Sequence, residues 1–291
     1  MEKLPHLLEG VYKITGEETP SPLVLDSPHS GSIYPSDFGY ACSFDDLKKC
    51  EDHFVDLLFE DAARENGVCF LKALFPRTYI DPNRTERDIA EDMRPNDWPH
   101  ATAPTIRSTA GHGLIRQTIG DKIPVYDRTL MTQEINHRLT HYYRPYHAAL
   151  ENLLENTLQT HGLYFHINCH STPPSAMRPY YTGPLPDFVL GDKDGTSCGI
   201  IFRRSLQSFL IGLGYRVSVN LPFKGVEIVR RYGEPSRGKH SLQIEINKDL
   251  YLTPENKIME KRFNKLKDDL QKLIHHLNAL AASYSTPQAA D

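Results

Sequence analysis

Two segments restrict the fold more than any other feature of the chain: LYFHINCH at 163–170 and SLQIEIN at 241–247. Each alternates with a period of two, the mark of a strand whose successive side chains point to opposite faces. In the first, Ile167 and Cys169 share one face while His166, Asn168 and His170 share the other. In the second, Leu242, Ile244 and Ile246 alternate with Gln243, Glu245 and Asn247. The apolar flank 163–165 speaks against an edge strand with a wet face. A fold that holds both strands inside must therefore bury a polar row and employ it, because polar groups taken from water without partners are costly.

The remaining segments alternate strand and helix. PLVLDSPHSG (22–31) reads as a buried strand over 23–26 that stops at Ser27-Pro28 and leaves His29 at its carboxyl end. A helix is predicted over 44–65, with Asp45 as N-cap and Gly67 as its stop, placing Asp52 and Asp56 one turn apart. VCFLKAL (68–74) and TYIDP (78–82) follow as short strands. Residues 84–124, rich in Pro, Gly, Asp and Arg with little periodicity, read as an active-site loop region. An amphipathic helix over 132–159, kinked at Pro145, precedes the LYFHINCH strand and a proline-bearing loop to 186. Then come a helix over 196–213, a strand at YRVSVN (215–220), the SLQIEIN strand, a helix over 254–284 and a disordered tail at 285–291. This alternation predicts an α/β three-layer sandwich: a mixed, mostly parallel sheet with helices on both faces. The 291 residues are read as one domain, 1–291. In such sheets ligands bind beyond the carboxyl ends of the strands, where His29 and His170 both fall.

Charge and composition narrow the partners. A net charge of -4 offers no basic surplus for a nucleic-acid backbone, so the basic residues are assigned to a small anion. No apolar run has the length of a signal peptide or a membrane span, which predicts a cytoplasmic protein without membrane contact. Five cysteines, with no CxxC spacing, argue against a disulfide framework and against a structural zinc cluster. The sequence assigns no oligomeric state.

The chemistry-bearing residues lie in five patches: SPHSG (27–31), CEDHFVD (50–56), RTYIDPNR (77–84), HINCHS (166–171) and KHSLQIEIN (239–247). A catalytic zinc typically takes three His or carboxylate ligands and keeps a position for water. His29 and His170 supply imidazoles, and Glu51, Asp52 and His53 supply a third donor among which spacing does not choose. Glu245, on a polar strand face, has the surroundings of a general base. Arg77, Asn83 and Arg84 frame TYIDPN; a guanidinium fork suits a carboxylate, and salt bridging with Glu86 and Asp88 is the alternative. His137 with His141, and His275 with His276, are read as solvated helix positions.

In this order the patches, together with YYRPYH (142–147), LPDFVLGDKDGTSC (185–198), LPFKG (221–225) and RYGEPSRGKHSLQIEI (231–246), resemble the N-formylglutamate amidohydrolase family over most of the chain. The resemblance implies a relative of the zinc carboxypeptidases and aspartoacylases: a hydrolase of the formyl-amide bond of N-formyl-L-glutamate, as in histidine degradation, or of a related N-acyl amino acid. It implies one zinc, or another divalent ion, per chain on His29, Asp52 and His170. It further implies Glu245 as general base, Arg77 as carbonyl-polarising residue, and Asn83 with Arg84 as a carboxylate clamp. The second carboxylate is assigned to the group Arg178, Lys224, Arg230 and Arg231. Two departures stand out: Asn168 occupies a position where some relatives carry an acid, and VEIVRRYG (226–233) lacks the second glycine and the histidine of the family pattern. The rival readings are a zinc hydrolase of another N-acyl amino acid or a peptide, and a catalytically silent protein that binds an acidic ligand.

Overall fold

The computed structural model describes residues 4–16, 20–120 and 123–285, so the expected tail lies outside the described residues except for Ser285. The chain forms two compact units, one of Met1–Lys13, Pro28–Glu51 and Lys72–Ala149, the other of Ile14–Ser27, Asp52–Leu71 and Leu150–Asp291. The strands are β1 (Leu7–Leu8), β2 (Tyr12–Thr15), β3 (Leu23–Ser27), β4 (Cys69–Ala73), β5 (Thr118–Ile119), β6 (Ile123–Pro124), β7 (Tyr164–Thr172), β8 (Phe188–Gly191), β9 (Val217–Val219) and β10 (Lys239–Asn247). Eight of them form one sheet in the order β1-β2-β4-β3-β7-β10-β8-β9, and β5-β6 form a separate hairpin. The pairs β3-β7, β7-β10 and β8-β9 are parallel, whereas β1-β2 and β10-β8 are antiparallel. This is the mixed, mostly parallel sheet with helices around it that the alternation of elements predicts.

In the unit built on β3, β7 and β10, period two sorts the side chains. Leu23 and Leu25 of β3, Phe165, Ile167 and Cys169 of β7, and Leu242, Ile244 and Ile246 of β10 lie in one buried apolar cluster. Three helices complete that cluster: Val55–Glu65, Ile200–Gly212 and Glu260–Ala282. The last of these contributes Phe263, Leu266, Leu270, Leu273, Ile274, Leu277 and Ala281, a stripe at helical spacing. At roughly 2 kcal/mol for each fully buried large apolar side chain, this face supplies the main driving force of the unit.

The other unit centres on a buried cation. Arg138, at the end of the helix Thr132–Arg138, is fully buried and donates from Nη1 to Tyr79 O (2.9 Å) and Tyr126 Oη (2.5 Å) and from Nη2 to Phe38 O (3.0 Å). Its guanidinium carbon also lies 5.5, 4.2 and 5.5 Å from the ring centroids of Phe38, Tyr79 and Tyr126.

Several boundaries differ from the sequence reading. The helix expected over 44–65 is broken into Phe44–Lys48, capped by Ser43 rather than Asp45, and Val55–Glu65. Phe54 adopts a left-handed conformation (φ 60°), so Asp52 sits in a turn and is not one helical turn from Asp56. The helix expected over 132–159 contains a π-turn at Leu139–Tyr143 before resuming at Arg144–His161; the disturbance precedes Pro145, whose ring cannot share space with the preceding turn. TYIDP is a turn rather than a strand, because its backbone bonds run locally, as in Tyr79 N to Pro76 O at 3.0 Å. The last helix begins at Glu260, six residues after the expected start, and 174–177 form a helical turn inside the expected loop. No described helix is long and apolar enough to cross a membrane.

Replacing Arg138 with methionine should strip two buried carbonyls of their donor while keeping most of the volume. The expected loss is about 3 kcal/mol, read from urea denaturation; a loss within experimental error would show that the aromatic cage, not the cation, holds this unit.

Candidate metal centre

The polar face of the sheet is organised by register. Asp26 of β3 and Gln243 of β10 lie opposite Asn168 of β7, Ser241 lies opposite His166, and Glu245 lies opposite His170. All nine residues of β7 are buried, so these groups must satisfy one another. Asp26 Oδ1 accepts from Asn168 Nδ2 at 2.7 Å and from His166 Nε2 at 3.0 Å, and His166 Nδ1 meets Ser241 Oγ at 2.8 Å. Asn168 Oδ1 lies 2.7 Å from His170 Nε2, and His170 Nδ1 lies 2.8 Å from Asp52 Oδ2.

These contacts have a direction. A carboxylate only accepts, so the Asn168 amide turns its NH₂ to Asp26 and its carbonyl to His170. Nε2 of His170 is therefore the protonated nitrogen, and Nδ1 presents its lone pair toward Asp52. Two acceptors facing each other at 2.8 Å need a proton or a cation between them. By the same rule His166 donates from Nε2 and accepts the Ser241 hydroxyl proton at Nδ1.

A parallel arrangement surrounds His29. Its Nε2 lies 2.7 Å from Asp81 Oδ1, and Asp81 also accepts from Asn83 N (2.9 Å) and from Arg77 Nη2 and Nε (2.7 and 3.2 Å). Burial pushes the Asp81 carboxyl up, but Arg77, His29 and Arg84 overcome it and hold the group well below the usual carboxylate range. The accepting carboxylate fixes the proton of His29 on Nε2, so Nδ1 offers the lone pair here too. Glycine is required nearby: a Cβ on Gly31 would stand 2.3 Å from Phe75 O, so only a bare backbone lets the loop after His29 lie on the chain leaving β4.

Partners also distinguish the three candidates for a third donor. Glu51 accepts from Tyr34 Oη at 2.6 Å, and His53 Nδ1 lies 3.4 Å from Lys248 Nζ, whereas Asp52 is turned to His170. His29, Asp52 and His170, all buried, each offer one ligand atom, and these atoms lie within 4.8 Å of one another. Two imidazole lone pairs and one carboxylate form a donor set that suits zinc or a similar divalent ion.

Arg84 is almost fully buried and donates from Nε to His112 O (2.9 Å) and from Nη1 to Asn83 O (2.7 Å), while its Nη2 has no hydrogen bond to a described residue. Burial pushes its guanidinium down to about 10, Asp81 opposes the shift, and Arg77, Arg107 and Arg116 add to it. Glu245 is half-buried and accepts from Gln243 Nε2 at 3.0 Å. Arg178 is exposed and donates to Gly183 O at 3.3 Å, Lys224 pairs with exposed Asp194 at 2.8 Å, Arg230 pairs with Glu227 at 2.7 Å, and Arg231 contacts Glu151 at 3.3 Å. Sequence reasoning missed Asp26, Asp81, Arg107 and Arg116. Asp81 carried one usable signal, an acid four residues after Arg77 beside a turn-forming proline.

Residues 21–252 match the family model described as N-formylglutamate amidohydrolase. The chain is 28% identical to an N-formylglutamate deformylase of Pseudomonas putida over 237 residues, 79% of this chain and 82% of that one. A solved N-formylglutamate amidohydrolase from Ralstonia eutropha JMP134 superposes with a TM-score of 0.90 at 38% identity, covering 94% of this chain and 99% of that chain. The gene product Atu2144 of Agrobacterium tumefaciens shares the fold, with a TM-score of 0.67 at 15% identity over 94% and 95% of the two chains.

Asp81→Ala should leave Arg77 and His29 without their common acceptor and destabilise the protein by about 3 kcal/mol at neutral pH. Because the Asp81 carboxyl is depressed in the folded state, its contribution is complete above the unfolded value of about 3.9 and declines as pH falls below it. Urea titrations of wild type and variant should therefore give a constant gap from about pH 5 upward and a shrinking one below about pH 4. A gap that widens with acid would contradict the assignment.

Proposed function

This chain belongs to the N-formylglutamate amidohydrolase family, and on that premise we propose that it hydrolyses N-formyl-L-glutamate to formate and glutamate with a divalent metal, zinc, held by His29, Asp52 and His170. It is an amidohydrolase acting on a C–N amide bond, and its buried His-Asp-His site could hold a metal ion. The observation that supports the finer reading is the pair of Nε2 contacts: Asp81 and Asn168 each accept the Nε2 proton of a histidine, which turns both Nδ1 atoms toward the ligand group of His29, Asp52 and His170. When bound, the ion would supply Lewis-acid polarisation of the formyl carbonyl and make water acidic enough to react at neutral pH.

The residues divide the remaining work. Glu245, register partner of His170, takes a proton from the attacking water and delivers it to the departing amide nitrogen. Water thus adds its oxygen to the formyl carbon, the C–N bond breaks, and formate and a free amine leave. Arg77 faces the oxygen on which negative charge develops. Asn83 and Arg84 receive the substrate's α-carboxylate, a role supported by the Arg84 Nη2 group and by the concentration of Arg77, Arg107 and Arg116 around it. That clustering also supports residues 84–124 as an active-site segment, and the family match across 21–252 supports a single amidohydrolase domain.

Glu245→Gln should retain about one metal ion per chain and lose about a hundredfold or more in kcat. His170→Ala should lose the metal. Elemental analysis and turnover of N-formylglutamate beside other formyl and acetyl amino acids check both. Purified protein that contains no divalent metal, and that added zinc does not activate, would rule the reading out.

A further inference from the structure

The mechanism above makes no use of Asp26, His166 or Ser241, although all three are buried on the polar face and joined by hydrogen bonds. We propose that Asp26 is a positioning residue: through the Asn168 amide it decides which nitrogen of His170 faces the metal. The inference rests on the metal-centre reading.

Donors and acceptors decide the direction of the chain. Asn168 is symmetric in shape, and nothing in its outline chooses between carbonyl and amide toward His170. The choice comes from Asp26, whose Oδ1 accepts from both Asn168 Nδ2 (2.7 Å) and His166 Nε2 (3.0 Å) and donates to neither. Replacing that oxygen with an NH₂ group reverses the chain. In Asp26→Asn, an amide turned so that its nitrogen stands where Oδ1 stood donates one hydrogen to His166 and the other to Asn168. The Asn168 amide then turns its NH₂ to His170 Nε2, which becomes an acceptor, and the imidazole proton moves to Nδ1. There it gains a hydrogen bond to Asp52 Oδ2 across the present 2.8 Å and blocks the lone pair that a metal needs. His166 adapts by donating from Nδ1 to Ser241 Oγ.

The same logic specifies a rescue. When Asp26→Asn is combined with Asn168→Asp, the introduced amide on β3 donates to His166 and to the introduced carboxylate on β7. That carboxylate in turn accepts the Nε2 proton of His170. Every group is again paired, with the accept-only side chain moved one strand over.

The test uses full-length protein freed of metal and then titrated with zinc against a chelator, together with ¹⁵N NMR of histidine-labelled samples. Asp26→Asn should bind zinc about tenfold or more weakly and lose the proton on His170 Nε2. The swapped double variant should return to within about threefold of wild type and regain that proton, an outcome that a purely structural role for Asp26 does not produce. If Asp26→Asn binds as wild type does, or if the swap folds with a wild-type melting temperature but binds as weakly as the single variant, the inference is overturned. Should Asp26→Asn fail to fold, the swap decides alone. A wild type that binds no divalent ion overturns the metal-centre reading and this inference with it, whereas the other adverse outcomes overturn only the inference.

Discussion

Everything around the candidate centre follows from one constraint: the polar face of β7 is shut away from water, so its groups need partners close by, Asp26 and Ser241 of the neighbouring strands for His166 and Asn168, and Asn168 with Asp52 for His170. Parallel pairing supplies the matches because it fixes register along the whole strand, setting Asp26, Asn168 and Gln243 at one level and His170 beside Glu245 at the next. Slipping either neighbour by one residue would place leucine or isoleucine against the histidines and push carboxylates into the apolar cluster. The apolar face and the polar face are thus one specification, and the hydrophobic packing that drives folding also sets the chemistry.

Much of this was legible in the sequence because period two is explicit in LYFHINCH and SLQIEIN, and because strand exits in such sheets carry ligands. His29, His170 and Glu245 were visible for that reason. What remained hidden has physical causes. The strands Leu7–Leu8 and Phe188–Gly191 and the helix Glu227–Tyr232 are too short to show a period. The break after Lys48 depends on a left-handed Phe54, and phenylalanine does not advertise that conformation as glycine does. Asp81 reads as an ordinary turn residue until His29 and Arg77 are placed against it. Glu51, Asp52 and His53 are neighbours in sequence and separate only through their partners.

Arg138 and Arg84 show how context gives one residue type two different surroundings. Arg138 is enclosed by carbonyls, a phenol and three rings, and its charge is fully used by the fold. Arg84 is nearly as deeply buried, with Asp81 and Asp88 (4.0 Å from Nε) set against the repulsion of Arg77, Arg107 and Arg116. A carboxylate brought to such a guanidinium would offset the repulsion of its neighbours.

Phe54 has a further consequence. A left-handed non-glycine residue costs about 1–3 kcal/mol and persists only where its surroundings insist on it; here the ring packs against the apolar cluster of the β3-β7-β10 unit. Opening the turn that carries Asp52 means drawing that ring off the core. The residence time of the carboxylate in its place is therefore coupled to the lifetime of the core packing, and a side chain on what reads as a loop inherits the kinetic persistence of a buried strand.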